Sequence, residues 1–137
     1  MEIRKFIKSD LPQLFRLISS GLPPDGKIEK IIEPIFTEEN TIVLVIDQGF
    51  QEIVGCSYYL GAGDQFRIHK LFVKESERGN GFGRRLLEFT EGEIKSRGGK
   101  MIELYPLTKE DKDELNKHYE KWGYVCIDEH IVKSIEN

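Results

Sequence analysis

Leu71-Phe72-Val73-Lys74-Glu75-Ser76-Glu77-Arg78-Gly79-Asn80-Gly81-Phe82-Gly83-Arg84-Arg85-Leu86-Leu87 is the stretch on which the reading of this chain turns. An apolar, strand-like run ends at Val73, and a helix-like run follows the glycines and ends near Arg97. Glycines at alternate positions 79, 81 and 83 let backbone N–H groups crowd one spot without Cβ interference. The helix starting there aims its unpaired N–H groups and the positive end of its dipole at the same spot. Such a turn binds a phosphate or pyrophosphate. Arg78 and Arg84 on either side add donors suited to phosphate oxygens, whereas Arg85 is expected to face solvent or another helix.

Outward from this loop the chain alternates short elements. Residues 2–7 read as a first strand. Ser9 offers an N-cap oxygen to a helix with Leu11, Leu14, Phe15 and Ile18 at helical spacing, stopped by Gly21. A Gly/Pro loop over 21–26 precedes a second helical stripe, Ile28, Ile31, Ile32 and Ile35, which Pro34 kinks or ends. Residues 41–47 and 52–60 are β-rich and joined at Gln48-Gly49 as a hairpin. Along 66–73 the alternation slips, with Phe66 and Ile68 on one face and then Leu71, Phe72 and Val73 all apolar; a bulge near Lys70 accounts for the change of phase. The helix after the glycines turns Phe82, Leu86, Leu87 and Ile94 inward and ends at Gly98-Gly99. A strand over 101–105 follows, then a helix opened by Thr108 and Asp111, striped by Leu115, Tyr119 and Trp122, and closed by Gly123. Residues 124–127 and 130–135 form a last strand pair. The order βααβββαβαββ mixes antiparallel hairpins with a βαβ crossover, so the fold class is α+β, or mixed α/β.

A chain of 137 residues is read as one domain, residues 1–137. Apolar content of 39% and charged content of 32% are ordinary for a globular protein. No apolar run approaches the roughly 20 residues that span a bilayer, and no secretion signal opens the chain, so a cytoplasmic protein without membrane contact is expected. The net charge of −4 argues against nucleic acid as a partner, though not against a local basic pocket for an anionic cofactor. Cys56 and Cys126 follow no metal or redox spacing and are expected as buried thiols; no metal site is expected.

The loop's ligand is narrowed by exclusion. A Walker A motif needs Lys-Ser/Thr after its last glycine, and here Gly83 is followed by Arg84-Arg85. A dinucleotide fingerprint has Gly-x-Gly-x-x-Gly early in a βαβ unit, whereas this Gly-x-Gly-x-Gly lies past mid-chain behind antiparallel strands. Leu71-Phe72-Val73 followed by Arg78-x-x-Gly81-x-Gly83 instead resembles the acetyl-CoA signature of the GNAT superfamily of N-acetyltransferases, Gln/Arg-x-x-Gly-x-Gly/Ala. Tyr119-Glu120-Lys121-Trp122-Gly123-Tyr124 is similar to that family's Tyr-x-x-x-Gly-Phe segment. The likeness covers nearly the whole chain and implies a central mixed, mostly antiparallel sheet flanked by helices. One departure is Lys112, where many members carry an Asn seven residues before the Tyr.

The resemblance implies that acetyl-CoA is the acyl donor, its pyrophosphate held by the N–H groups of Gly79, Asn80, Gly81, Phe82, Gly83 and Arg84, with Arg78 nearby. Leu71, Phe72 and Val73 would pair with the pantetheine arm as a splayed strand, and an N–H near Phe72 or Val73 would face the thioester oxygen. Tyr119 matches the family's acid beside the sulfur, and also suits plain packing with Leu115 and Trp122. The base is open between His69, where many relatives have Glu, Glu103 on the neighbouring strand, and water. Glu88 and Glu93 read as helix-surface charges, His118 as pointing away from Tyr119, and His130 as peripheral. Asp25, Glu29, Glu33, Tyr58, Tyr59 and Tyr105 are candidates for contacting the acceptor. The implied partner is a small-molecule or peptide amine, with a homodimer possible. The reaction expected is direct acetyl transfer in a ternary complex; the alternative is a catalytically weak acyl-CoA-binding or sensor module.

Overall fold

A computed structural model describes residues 1–18, 41–104, 117–128 and 130–136, with the backbone alone at Ile18 and Lys70. The elements are β1 (Glu2–Lys5), α1 (Leu11–Ile18), β2 (Thr41–Asp47), β3 (Ile53–Ala62), β4 (Gln65–Val73), α2 (Phe82–Ser96), β5 (Met101–Leu104), β6 (Val125–Ile127) and β7 (His130–Ser134). Residues 117–120 are helical, the end of the last helix expected from the sequence. The second expected helix and the start of the last lie outside the described residues.

Among the described residues the strands form one seven-stranded sheet in the order β1-β2-β3-β4-β5-β7-β6. Every neighbouring pair is antiparallel except β4 and β5, which α2 connects as a parallel crossover. The expected α+β class with a mostly antiparallel sheet is therefore what the chain adopts. β2 is buried along nearly its whole length because both faces of the sheet are covered there. On one face α2 packs Leu86, Leu87 and Ile94 against Leu44, Ile46, Ile68, Ile102 and Ile131. On the other, α1 packs Leu11 and Leu14 against Val43, Val45, Ile53 and Cys56. Removing a side chain of this size from water stabilises by roughly 1.5–3 kcal/mol.

Polar contacts also tie the helices to the sheet. The Arg4 guanidinium donates to both Asp10 carboxylate oxygens, at 2.9 and 3.0 Å, and to Asp47 Oδ2 at 3.2 Å. Asp10 Oδ2 also accepts the Ile7 N–H at 2.9 Å, so Asp10, not the expected Ser9, organises the turn into α1. Ser9 lies inside that turn, a short 3-10 segment over Lys8–Asp10. On the other face Ser57 Oγ and Thr90 Oγ1 lie 2.8 Å apart, both fully buried, and Thr90 donates to the Leu86 carbonyl at 2.7 Å. Neither cysteine forms a disulfide among the described residues; Cys56 is buried, but Cys126 is exposed because β6 is the edge strand there, paired with β7.

Candidate active site

β4 ends at Val73, and one 3-10 turn over Glu75–Glu77 brings the chain to Arg78. Gly79 and Gly81 then take φ values of 87° and 80°. In that left-handed region a side chain costs about 1–2 kcal/mol. Gly81 immediately precedes α2, and no side chain caps the helix there. The first intrahelical bond runs from the Arg85 N–H to the Gly81 carbonyl at 3.1 Å. The N–H groups of residues 81–84 thus have no acceptor within the helix. No acidic residue occupies the first turn, so the positive end of the helix is not offset there. A Cβ at Gly83 would meet only Val73 Cγ2, at 3.8 Å, so this position opens onto space beside the end of β4.

The flanking side chains hold the loop's shape. Arg78 Nε donates to the Val73 carbonyl at 3.1 Å, Asn80 Nδ2 to the Glu77 carbonyl at 3.4 Å, and Arg84 Nε to Glu88 Oε1 at 3.0 Å. Phe82 is half-buried against the core. Beside the same strand end a cleft of about 590 Å³ opens toward α1, with Arg16, Lys74 and Arg78 on its wall against Glu52 and Glu75. The wall is therefore of mixed charge, with basic groups slightly in excess of acids next to the glycine loop.

β4 and β5 pair only over Gln65–Ile68 and Met101–Leu104. β4 runs on to Val73, and among the described residues it has no partner on that side beyond Ile68. The expected bulge is present: Tyr58 pairs with Lys70 but Tyr59 with Ile68, leaving His69 as the extra residue. The change of phase puts Leu71 against the α2-side core and Phe72 against the α1-side core. The Lys74 N–H bonds to the Val54 carbonyl at 2.7 Å, which sets the alternation along the antiparallel pair. The N–H groups of Leu71 and Val73 therefore point away from β3, and that of Phe72 points toward it. Leu71, not Phe72, joins Val73 as a donor facing the side of β4 on which β5 lies.

Tyr119 is buried in the α2-side cluster, ringed edge-on by Trp122 at 5.2 Å and Tyr124 at 5.8 Å between centroids. Burial pushes its hydroxyl up to about 12. Gly123, at φ 93°, closes the turn after it, as its place in the sequence suggests. His118 does not point away: its ring meets Tyr119 at 5.2 Å and Trp122 at 4.8 Å. Desolvation and the nearby Lys121 lower the His118 pKa.

The two base candidates lie on the opposite, α1-side face. His69 stacks on Tyr58 with centroids 5.8 Å apart, and its Nε2 is buried. Glu103 is paired across β4–β5 with Arg67 and bonds through Oε1 to His130 Nδ1 at 2.6 Å. His130, expected to be peripheral, is thus joined to a candidate base; this contact links residues 27 apart in sequence and no local motif announces it. Tyr58 is half-buried beside His69 and its hydroxyl is raised by burial, while Tyr59 is fully buried in the core. Asp25, Glu29, Glu33, Tyr105 and Lys112 lie outside the described residues. Among the described residues no group of acids, histidines and cysteines is placed to hold a metal ion, and no helix is long and apolar enough to cross a membrane.

Comparison with known proteins agrees with this geometry. A family model for the acetyltransferase (GNAT) domain matches residues 39–126. The aminoglycoside 6′-N-acetyltransferase from Enterococcus faecium is 22% identical, with a TM-score of 0.79 over 100% of this chain and 98% of that one. An aminoglycoside 6′-acetyltransferase type Ii is 27% identical, with a TM-score of 0.75 over 100% and 99% of the two chains. The PaiA N-acetyltransferase from Thermoplasma acidophilum, solved in complex with coenzyme A, is 18% identical, with a TM-score of 0.74 over 97% and 98%. No protein of curated function matches the chain in sequence.

Proposed function

This chain belongs to the GNAT acetyltransferase family, and from that premise we propose that it transfers the acetyl group of acetyl-CoA to a primary amine of a small molecule or peptide. The observation that carries the reading is the uncapped start of α2, with left-handed Gly79 and Gly81 before it and open space at Gly83. Main-chain donors at residues 81–84 would hold the pyrophosphate, with the Arg78 guanidinium beside it. Leu71, Phe72 and Val73 would line the pantetheine arm, Leu71 and Val73 through their outward N–H groups. One of those two N–H groups would meet the negative charge developing on the thioester oxygen. Acetyl-CoA supplies the activated acyl carbon and a thiolate leaving group.

Tyr119 is assigned the sulfur side, as a hydrogen-bond donor to the departing thiolate. With its hydroxyl near 12 it keeps its proton throughout the working pH range. Handing that proton outright to a thiolate whose conjugate acid titrates near 8.5 would be uphill by about 3.5 pKa units, roughly 5 kcal/mol. Stabilisation by donation is therefore its role, and the proton for sulfur comes from the attacking nitrogen. A base or a water removes the first proton of an ammonium acceptor, and the candidates read from the sequence, His69 and Glu103, lie on the α1-side face. Neither cysteine enters the reaction: Cys56 is buried in the α1-side core, and direct attack needs no covalent enzyme intermediate.

The likeness to aminoglycoside acetyltransferases, 27% identical in one case, places aminoglycosides first in an acceptor panel that also holds polyamines, amino acids and peptides. Free-thiol release from acetyl-CoA with any of these supports the proposal. Tyr119→Phe is expected to lower kcat while leaving the Kd for acetyl-CoA within about twofold, since the hydroxyl acts only as charge develops on sulfur. Tight acetyl-CoA binding with no thiol release across the panel would instead support a sensor module, and no binding at all would refute both.

A further inference from the structure

His130 opens β7 on the α1-side face of the sheet, diagonal to Glu103 across the β5–β7 pair, in which Glu103 lies opposite Val132 and Leu104 opposite Ile131. Glu103 Oε1 lies 2.6 Å from His130 Nδ1, with the carboxylate side chain 20% exposed and the imidazole 61% exposed. The second carboxylate oxygen is 3.9 Å from Arg67 Nε on β4. A carboxylate bonded to Nδ1 selects the tautomer with its proton on Nδ1, which leaves Nε2 as the acceptor. The pair stands at the end of the described β4–β5 pairing: among the described residues Ile68 and Leu104 are the last partners, and His130 precedes Ile131, the residue opposite Leu104. His69, by contrast, lies flat on Tyr58 with its Nε2 buried.

We propose that His130, oriented by Glu103, takes the acceptor's proton in the acetyl transfer inferred above, in place of His69. The proposal rests on that reading of the activity. His130 is then the catalytic base and Glu103 a positioning residue. An acceptor arriving as an ammonium gives its first proton to His130 Nε2, which releases it to the solvent it faces. The nitrogen lone pair forms the bond to the acetyl carbon, the carbon–sulfur bond breaks with its electron pair on sulfur, and the second nitrogen-bound proton goes to that sulfur. Atoms and charge balance as amide, free thiol and one proton released. Among the described residues, the charged groups around His130 are Glu103 from β5, Arg67 behind it on β4, and Asp128 in the turn from β6, where Ile127 is the residue paired with His130.

Two measurements on the full chain test this. Two-bond ¹H–¹⁵N correlation spectra of the imidazoles, assigned with His130→Ala, report the tautomer directly. A neutral His130 protonated on Nδ1, with that preference lost in Glu103→Gln, supports the dyad; a proton on Nε2 overturns it, whether or not the protein turns substrate over. In steady state, His130→Ala should lower kcat/KM by roughly a hundredfold, abolish the fall in rate on the acid side, and be partly rescued by added imidazole. His69→Ala should keep that acid-side fall. A His130→Ala enzyme with the wild-type pH profile, or loss of the profile only in His69→Ala, overturns the assignment. Calorimetric titration with acetyl-CoA, unchanged in His130→Ala, separates this failure from failure of the acetyltransferase reading, in which the wild-type chain itself binds no acetyl-CoA.

Discussion

Replacing Gly83 with alanine should move stability and cofactor affinity in opposite directions. Gly83 is the second residue of α2, and the added methyl would meet one protein atom, Val73 Cγ2 at 3.8 Å, an ordinary contact. Alanine in a helix is favoured over glycine by about 0.5–1 kcal/mol, less in a first turn, so the variant should melt at the wild-type temperature or slightly above it. The methyl does project toward the space where main-chain donors would grip a pyrophosphate. Loss of one charge-assisted hydrogen bond costs about 1.5–3 kcal/mol, equivalent to roughly a ten- to hundredfold rise in Kd. Gly81→Ala supplies the contrast: at φ 80° it should lose about 1–2 kcal/mol of stability with or without ligand. Thermal melts and calorimetric titration with acetyl-CoA on both variants read the two effects. A Gly83→Ala protein that binds acetyl-CoA as tightly as wild type, or that loses stability as Gly81→Ala does, refutes the reasoning.

Thr90→Val, which strands the buried Ser57 hydroxyl, should destabilise by about 1–3 kcal/mol in urea titration, whereas the double change Ser57→Ala with Thr90→Val should be closer to neutral; additive losses would show that the two hydroxyls do not act as a pair. Alkaline pH gives a test of Tyr119 burial. Its folded pKa, about 12, lies above the ordinary value of 10, so the unfolded chain releases this proton first. The stability in question is fully present below pH 10 and lost as the pH rises to 12, by roughly 3 kcal/mol from this residue. Burial raises Tyr124 in the same direction. Tyr119→Phe should flatten the decline measured by denaturant titration between those values; an unaltered slope would mean that Tyr119 is not buried in solution.

Local pattern carried much of this fold. The apolar periodicity of residues 41–73, the glycine triplet and the stripe of α2 are all near-neighbour features, and each element they predict is present within about two residues of its expected ends. The bulge was legible because a pleated strand that breaks its alternation must add a residue, although only the register shows that this residue is His69. Contacts between distant segments were not legible. Asp10 matters through Arg4, which also bonds Asp47, a second carboxylate that the β1–β2 pairing brings to the same guanidinium. Thr90, a polar residue on the inward face of α2, makes sense only beside Ser57. Leu71 replaced Phe72 as an outward donor because the direction of a strand N–H depends on its partner's register, which side-chain chemistry does not encode. Glu103 and His130 meet only because β7 inserts between β5 and β6.

The pyrophosphate grip proposed for residues 81–84 underlies every role proposed for the site. A ¹H–¹⁵N spectrum of the uniformly labelled chain, titrated with coenzyme A, reads those amides one by one. The largest shifts are expected on Gly81, Phe82, Gly83 and Arg84, with Leu71 and Val73 following and Phe72 nearly still. Saturable binding that leaves the amides of 81–84 unmoved would contradict that grip.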